Sequence, residues 1–389
     1  MKFTCQPQRT FNIECVLFDF CNLHCTFCYE SVCGKRNNRF DREYLKRFPE
    51  VFKEYHIPKI KKENKKNINI SVYGGEVFLD SYPDDLFEDY AEFAIKINKY
   101  LKNEIPDAKL NMIWLSNYVF TKWDRVDQLL DYTNTNIATS YDAAGRFHND
   151  EVLNKWINTF IHFKNKTKMA GITLHKDNIK AIINGDRGFN LLMDNPQVEA
   201  DISYYTPINN TFEKFIPSDS EVFDFYKFAL DNRYFSVNVI SNFMKTVLDI
   251  DSVESYCHCE TKESYYHCSP TVLTDKAASN TENLDGGCIN IIEALMLNEN
   301  DKKSFYGDNY SIMKDGTNKY IAGRIKRGCI SCEWYPNCAK MCFASLLYKN
   351  FKSEFCPIKK AYKYIQDNPG IIEDYLKNKD KCIEVNYDY

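Results

Sequence analysis

Short β-prone runs alternate with longer amphipathic segments from residue 11 to about residue 240 of this 389-residue chain. The runs are Phe11–Phe18 (FNIECVLF), Asn67–Tyr73 (NINISVY), Leu110–Leu115 (LNMIWL), Asn136–Tyr141 (NIATSY), Met169–Leu174 (MAGITL) and Val198–Tyr205 (VEADISYY). Helical periodicity fills the intervals, as in Asp41–Tyr55, Leu86–Leu101, Asp124–Asp131 and Glu151–Phe163. Near-continuous apolar strands separated by helices predict parallel βα units with both faces covered. Six units are too few to close an eight-stranded barrel, so the expected body is a partial, open (β/α)6 barrel with its chemistry at the carboxyl ends of the strands. The basic run from Ile57 to Asn67 reads as a solvated loop.

The 16 cysteines are spread unevenly. Six lie within the first 33 residues, none follows until Cys257, and ten fall between Cys257 and Cys382. This shift divides the chain into an expected body, 1–240, and a second cysteine-rich α+β unit, 241–389, ending in a helix. The N-terminus, Met1-Lys2-Phe3-Thr4-Cys5, lacks a basic region followed by an apolar run, and no stretch has the length of an apolar membrane span. A cytoplasmic chain is therefore expected, in which thiols stay reduced and clustered cysteines mean metal. The formal net charge of −4 gives no reason to expect a nucleic-acid partner.

The first run leads into Cys21-Asn-Leu-His-Cys25-Thr-Phe-Cys28. Three thiolates at C-x3-C-x2-C spacing hold three corners of a 4Fe–4S cube and leave one iron open to a ligand. A structural zinc site is the competing reading. It wants four ligands, and the fourth thiol nearby is Cys33. The second run ends in Tyr73-Gly74-Gly75-Glu76, where paired glycines let a ligand approach the backbone.

Together these motifs resemble the radical S-adenosylmethionine (SAM) enzymes. The resemblance implies that the open iron chelates the methionine amine and carboxylate of SAM, and that reductive cleavage yields a 5′-deoxyadenosyl radical which abstracts hydrogen from a substrate. It places Gly74, Gly75 and Glu76 at the methionine amine and Phe27 near the adenine. Ser116-Asn117 resembles the family's TNG-like segment, with Tyr118 in place of the glycine. Ser140-Tyr141-Asp142, followed by His148, resembles its S-x-D…H-D segment and gives Ser140 a hydrogen bond to the cofactor's ribose or carboxylate. An arginine often follows that segment in the family, but the aligned position here is Val152. The Thr173…Asn178 stretch resembles the strand-five region.

Downstream, Cys329-x2-Cys332-x5-Cys338-x3-Cys342 and then Cys356 form a second constellation. Taken alone, its C-x2-C-like units would suit a zinc ribbon, but five cysteines exceed one site. The pattern closely resembles the SPASM domain of radical SAM enzymes, which carries two auxiliary 4Fe–4S clusters. The resemblance implies one cluster on Cys259, Cys268, Cys288 and Cys342, with Cys257 the alternative to Cys259. The other takes Cys329, Cys332, Cys338 and Cys356. The expected fold is thus α/β, a partial (β/α)6 TIM barrel followed by a small SPASM domain. Cys15, in mid-strand, is expected to be a small core residue.

SPASM-bearing enzymes mostly act on peptides or proteins, so a peptide-modifying enzyme (crosslinking, oxidising or epimerising) is the favoured expectation. It would use an electron donor such as flavodoxin or ferredoxin. Cys21 comes too early for an N-terminal leader-binding domain, so a leader would need a separate protein or another surface. An anaerobic sulfatase-maturating enzyme, a small-molecule radical SAM dehydrogenase and a non-catalytic metal-binding module are the alternatives. Ile289 after Cys288 counts against the first, since that type places an Asp there as a base.

Overall fold

The structure is a computed structural model that describes residues 10–18, 20–26, 28, 42–147, 149–205, 214–248, 331–334, 338 and 356–378, together with two strands at 264–268 and 288–290. Strands β1 (Thr10–Val16), β2 (Asn67–Tyr73), β3 (Lys109–Ser116), β4 (Asn136–Tyr141), β5 (Thr167–Leu174) and β6 (Glu199–Tyr204) pair in sequence order, each parallel to the next. They form a curled half-barrel, the partial (β/α)6 barrel expected from the periodicity. The intervals hold α1 (Arg42–Val51), α2 (Ile57–Lys62), α3 (Asp84–Glu104), α4 (Trp123–Thr133), α5 (Asp150–Phe163), α6 (Lys176–Ile183) and α7 (Arg187–Met193).

Two expectations are corrected. The basic run is not wholly a loop. A π turn at Phe52–His56 carries α1 into α2, where Ile57 and Ile60 face the core while Lys59, Lys61 and Lys62 face outward. Spacing of three places the two isoleucines on one face, and that burial makes the lysine-rich segment helical. Nor are the strands apolar on both faces. Their convex face is buried against the helices through Ile13, Ile68, Ile70, Val72 and Trp114, but the alternate residues of β1 and β2 are half-exposed. Asn12, Asn69 and Asn111 lie opposite one another in register. Asn111 donates to Asn69 at 3.3 Å and Asn69 to Asn12 at 3.0 Å. Above this row Tyr73 donates to Glu14 at 2.7 Å. A half-barrel does not fill its interior with interlocking side-chain layers as a closed one does, so its concave face tolerates amides and a carboxylate.

The sheet continues beyond β1. Strand β7 (Ser264–Cys268) pairs parallel to it and β8 (Cys288–Asn290) antiparallel to β7, giving the order β6-β5-β4-β3-β2-β1-β7-β8. At the other edge stand α8 (Asp219–Asp231), opened by a Ser218–Glu221 capping box, and α9 (Asn238–Val247). The terminal helices α10 (Pro357–Asp367) and α11 (Pro369–Asn378) pack on this pair. Phe243 meets Tyr226 at 4.9 Å and Tyr362 at 5.3 Å, while Phe235 meets Tyr375 at 5.2 Å. Residues from both sides of position 240 therefore share one sheet and one core.

Candidate active site at the carboxyl ends of the strands

Beyond the end of β1 the backbone keeps its ladder with the chain leaving β2. Leu17 N–H donates to Tyr73 O, Gly75 N–H to Phe18 O and Glu76 N–H to Phe20 O, each at 2.7 Å. This sets the glycine pair alongside the residues that enter the cysteine loop. A Cβ on Gly74 would stand 2.6 Å from Phe18 O and 2.9 Å from Phe18 N, so the approach needs glycine. The amides of Gly75 and Glu76 are spent on the ladder, and the Glu76 carbonyl accepts from Tyr82 Oη at 3.1 Å. Among the described residues, nothing hydrogen-bonds the Gly74 or Gly75 carbonyls. An ammonium group needs acceptors of that kind.

The Glu76 side chain turns the other way. It is buried, with Oε1 accepting from Ser116 Oγ at 2.7 Å and Phe78 N at 2.9 Å, and Oε2 from Asn117 N at 2.6 Å. Burial pushes its carboxyl above the usual range, while these donors and the charge of Arg146 pull it back. Glu76 thus ties the end of β2 to the end of β3. Asn117 extends the tie into the cysteine loop by donating to Asn22 Oδ1 at 2.7 Å and Cys21 Sγ at 3.6 Å. Asn22 in turn donates to Val119 O at 2.7 Å. Tyr118, standing where the family has glycine, keeps a left-handed backbone at φ 59°. Its buried ring, hydrogen-bonded to Thr167 at 2.7 Å, offsets that conformational cost.

The sequence resemblance brings Ser140 and Asp142 to the end of β4. Ser140 Oγ has no hydrogen-bond partner among the described residues. The Asp142 carboxylate, by contrast, is wholly engaged: Oδ1 accepts from Ala144 N at 3.0 Å and Gly145 N at 2.5 Å, and Oδ2 from His175 Nε2 at 2.7 Å. Gly145 O then accepts from Thr26 N at 3.2 Å, inside the cysteine loop. Phe147 and Val152 pack on the small cluster formed by Leu23, Cys25 and Val119, against which Cys21 and Cys28 also lie. The position aligned with the family's arginine is therefore at the site but apolar, while Arg146, six residues earlier, acts on Glu76. Neither Arg146 nor His175 was singled out from the sequence. The run Ala143-Ala144-Gly145-Arg146 carries no spacing signal, and histidine is not among the preferred helix caps.

Among the described residues no three His, Cys, Asp or Glu side chains converge on one metal ion. A mononuclear site needs every donor within bond length of a single point, whereas a four-iron cube spreads its ligands over different irons. The triplet fits the second demand: three thiols on one short loop, gathered on one apolar cluster, with Leu23 N at 3.4 Å and Asn117 Nδ2 directed at Cys21 Sγ. Such N–H groups stabilise a thiolate ligand.

Of the second constellation, Cys268 and Cys288 are direct register partners across β7 and β8. Cys338 and Cys356 pack against the core, and Tyr362, whose ring meets Trp334, donates its Oη to Cys338 Sγ at 3.8 Å. Cys332 is half-buried nearby in sequence. Cys15 is buried in the core, as expected. Phe27, His148, Cys257, Cys259, Cys329 and Cys342 lie outside the described residues.

No family model and no curated protein matches the sequence. Solved structures do. Hexahistidine-tagged anSMEcpe with bound AdoMet, an anaerobic sulfatase-maturating enzyme of the radical SAM/SPASM type, superposes with a TM-score of 0.57 at 14% identity, covering 95% of this chain and 99% of that one. Native anSMEcpe with bound AdoMet and Kp18Cys peptide, and the same enzyme with Cp18Cys peptide, each give 0.55 at 15% identity over the same coverage. This chain has the anSMEcpe fold. No helix among the described residues is long and apolar enough to cross a membrane.

Proposed function

We propose that this chain is a radical SAM enzyme that modifies a peptide or protein. The observation that carries the reading is the ladder running past β1 and β2, which brings the chain entering the cysteine loop alongside the Gly74–Gly75 turn, whose carbonyls accept no hydrogen bond among the described residues. Cys21, Cys25 and Cys28 would hold the 4Fe–4S cluster, and Gly74 and Gly75 would accept from the methionine amine of SAM, with Glu76 fixing their geometry. When bound, cluster and SAM supply one-electron reductive cleavage and a 5′-deoxyadenosyl radical able to take hydrogen from carbon. Phe27, Ser116, Asn117 and Ser140 complete the cofactor site in this reading. Arg146, whose charge acts on Glu76, would supply the cation that Val152 does not.

Cys259, Cys268, Cys288 and Cys342 would hold one auxiliary cluster and Cys329, Cys332, Cys338 and Cys356 the other. The register pairing of Cys268 with Cys288 supports the first set. Tyr362, which meets Cys338, lies on the helix that Cys356 precedes, and this supports the second. A peptide is favoured because the concave face offers half-exposed amides, and because anSMEcpe structures hold peptides. Flavodoxin or ferredoxin would deliver the electron, and a separate protein or another surface of this chain would present any leader.

Anaerobic reconstitution tests the cluster reading. About 12 iron per chain and 5′-deoxyadenosine from SAM under reduction are expected. In the triple variant Cys21→Ala, Cys25→Ala, Cys28→Ala about 8 iron should remain and cleavage should vanish. A protein that takes up zinc and no iron would end this reading. Mass spectrometry of candidate peptides after turnover tests the substrate class. Turnover confined to small alcohols would favour the dehydrogenase alternative.

A further inference from the structure

A deeply buried histidine–carboxylate pair stands at the rim, one loop away from the cysteines and the glycine turn. His175 and Asp142 are 2% and 0% exposed, and Nε2 lies 2.7 Å from Oδ2. Asn178 N donates to His175 Nδ1 at 3.3 Å, which fixes the proton on Nε2 and makes the ring the donor to Asp142. The other carboxylate oxygen gathers the amides of Ala144 and Gly145, and Asn178 Oδ1 accepts from Ala143 N at 2.9 Å. Of three consecutive amides of one turn, two are thus held by Asp142 at the end of β4 and the third by Asn178 of α6. The same turn presents its Gly145 carbonyl to Thr26 N, between Cys25 and Cys28, and carries Arg146 toward Glu76.

We propose that His175 is a positioning residue of the cysteine loop. Through Asp142 it sets the 143–146 turn, and through Gly145 that turn fixes the peptide between Cys25 and Cys28. The geometry supports this over a role as mere filler. A buried pair needs only internal satisfaction, yet here the second Asp142 oxygen holds two amides of one turn, and that turn meets the cysteine loop through Gly145 and Thr26. Where the loop binds iron, a reading this proposal inherits from the one above, the consequence is a cluster whose ligand orientation depends on an imidazole outside its coordination shell.

The test compares His175→Leu with His175→Gln, whose amide can still donate to Asp142, and Asn178→Ala, which frees Ala143 N while leaving the pair intact. Hydrogen–deuterium exchange of a peptide spanning residues 21–28 is the first readout. His175→Leu should raise its exchange about tenfold, the size of one lost hydrogen bond, with His175→Gln near wild type and Asn178→Ala between. If His175→Leu does not fold, the Asn178→Ala change decides. The second readout is the electron paramagnetic resonance signal of the reduced cluster and its response to added SAM, which should shift in His175→Leu and recover in His175→Gln. Unchanged exchange at 21–28 in both disruptive variants, or equal losses of Tm with an unaltered cluster signal, would overturn the proposal. A wild-type protein that binds no cluster would sink the functional reading alone, because the exchange experiment still decides the positioning role.

Discussion

The two ends of the half-barrel are both buried but built from different chemistry. At the floor, where β1 begins, His56 sits among the rings of Phe11, Phe48, Phe52 and Tyr55, at centroid distances of 5.0–6.1 Å. Burial there pushes the imidazole down to about 3, so it fills space as a neutral ring. At the rim, Glu76, Asn117, Asp142 and His175 are equally buried, yet each accepts a hydrogen bond from backbone where the chain leaves the sheet. The difference follows from where the ladder stops. Below, strands enter from helices and the core needs only volume. Above, the chain leaves the sheet, its amides lose their ladder partners, and side-chain acceptors must replace them if the loops are to keep one geometry. The floor therefore carries stability and the rim carries position, the division expected of parallel βα barrels.

The largest blow to the rim should come from Gly74→Ala. The added methyl meets Phe18 backbone rather than a side chain that can swing aside, so β1 and β2 must part where the cysteine loop starts. Overpacking against backbone should cost about 3 kcal/mol or more, and SAM binding should be lost with it. Urea unfolding and anaerobic calorimetry measure the two effects. An alanine variant that binds SAM normally would show that close approach is not what the glycine supplies.

The floor should answer to pH instead. A histidine lowered to about 3 in the fold contributes stability that is fully present above its unfolded value, near 6.5, and lost as pH falls toward about 3. Between pH 7.5 and 5 the wild type should lose about 2 kcal/mol relative to His56→Phe, with SAM affinity unchanged between the two proteins at neutral pH. Parallel denaturation curves at both pH values would break the comparison.

Arg146→Ala should do the reverse. Loss of one charge-assisted contact should weaken SAM binding about tenfold, where His56→Phe leaves it unchanged. A decarboxylated SAM analogue should bind the variant and the wild type more nearly alike. Since Arg146 holds the raised Glu76 carboxyl down, its removal raises that carboxyl further. The variant should then lose more stability than the wild type as pH rises through the Glu76 value. Calorimetry with both ligands across pH separates these effects.

These residues also mark what was legible in the sequence. β2 and β4 follow the expected bounds, because period and apolar content act locally. The cysteine triplet and glycine turn were legible because their chemistry lies in spacing. Arg146 was hidden because a turn of four residues brings it back to Glu76, a fold in the chain that leaves no periodic trace. His175 was hidden because its hydrogen bond reaches across to the loop after another strand. The polar concave face was masked by β-branched neighbours on the convex side of the same strands, such as Ile68, Ile70 and Val72 around Asn69. The union of β7 with β1 depends on pairing between residues some 250 positions apart, as Cys15 with Cys268, which no local window contains.

The smallest effect should come from a pair of left-handed residues, one at each end. Asn134, between α4 and β4 at the floor, closes the helix at φ 51°, and Tyr118 leaves β3 at the rim at φ 59°. Both backbones suit glycine, but the side chains differ in what they do there. Asn134 ends a helix whose last turn is already satisfied by its own amide donating to Leu130 O. Asn134→Gly should therefore change stability by no more than about 0.5 kcal/mol and leave the rim untouched. Tyr118 packs its ring between Phe120, Trp156 and Phe163, so the same relief of backbone strain at the rim would open a cavity far costlier than the strain. A floor variant with a large loss would mean that Asn134 holds β4 in register, and that position as well as stability is set from below.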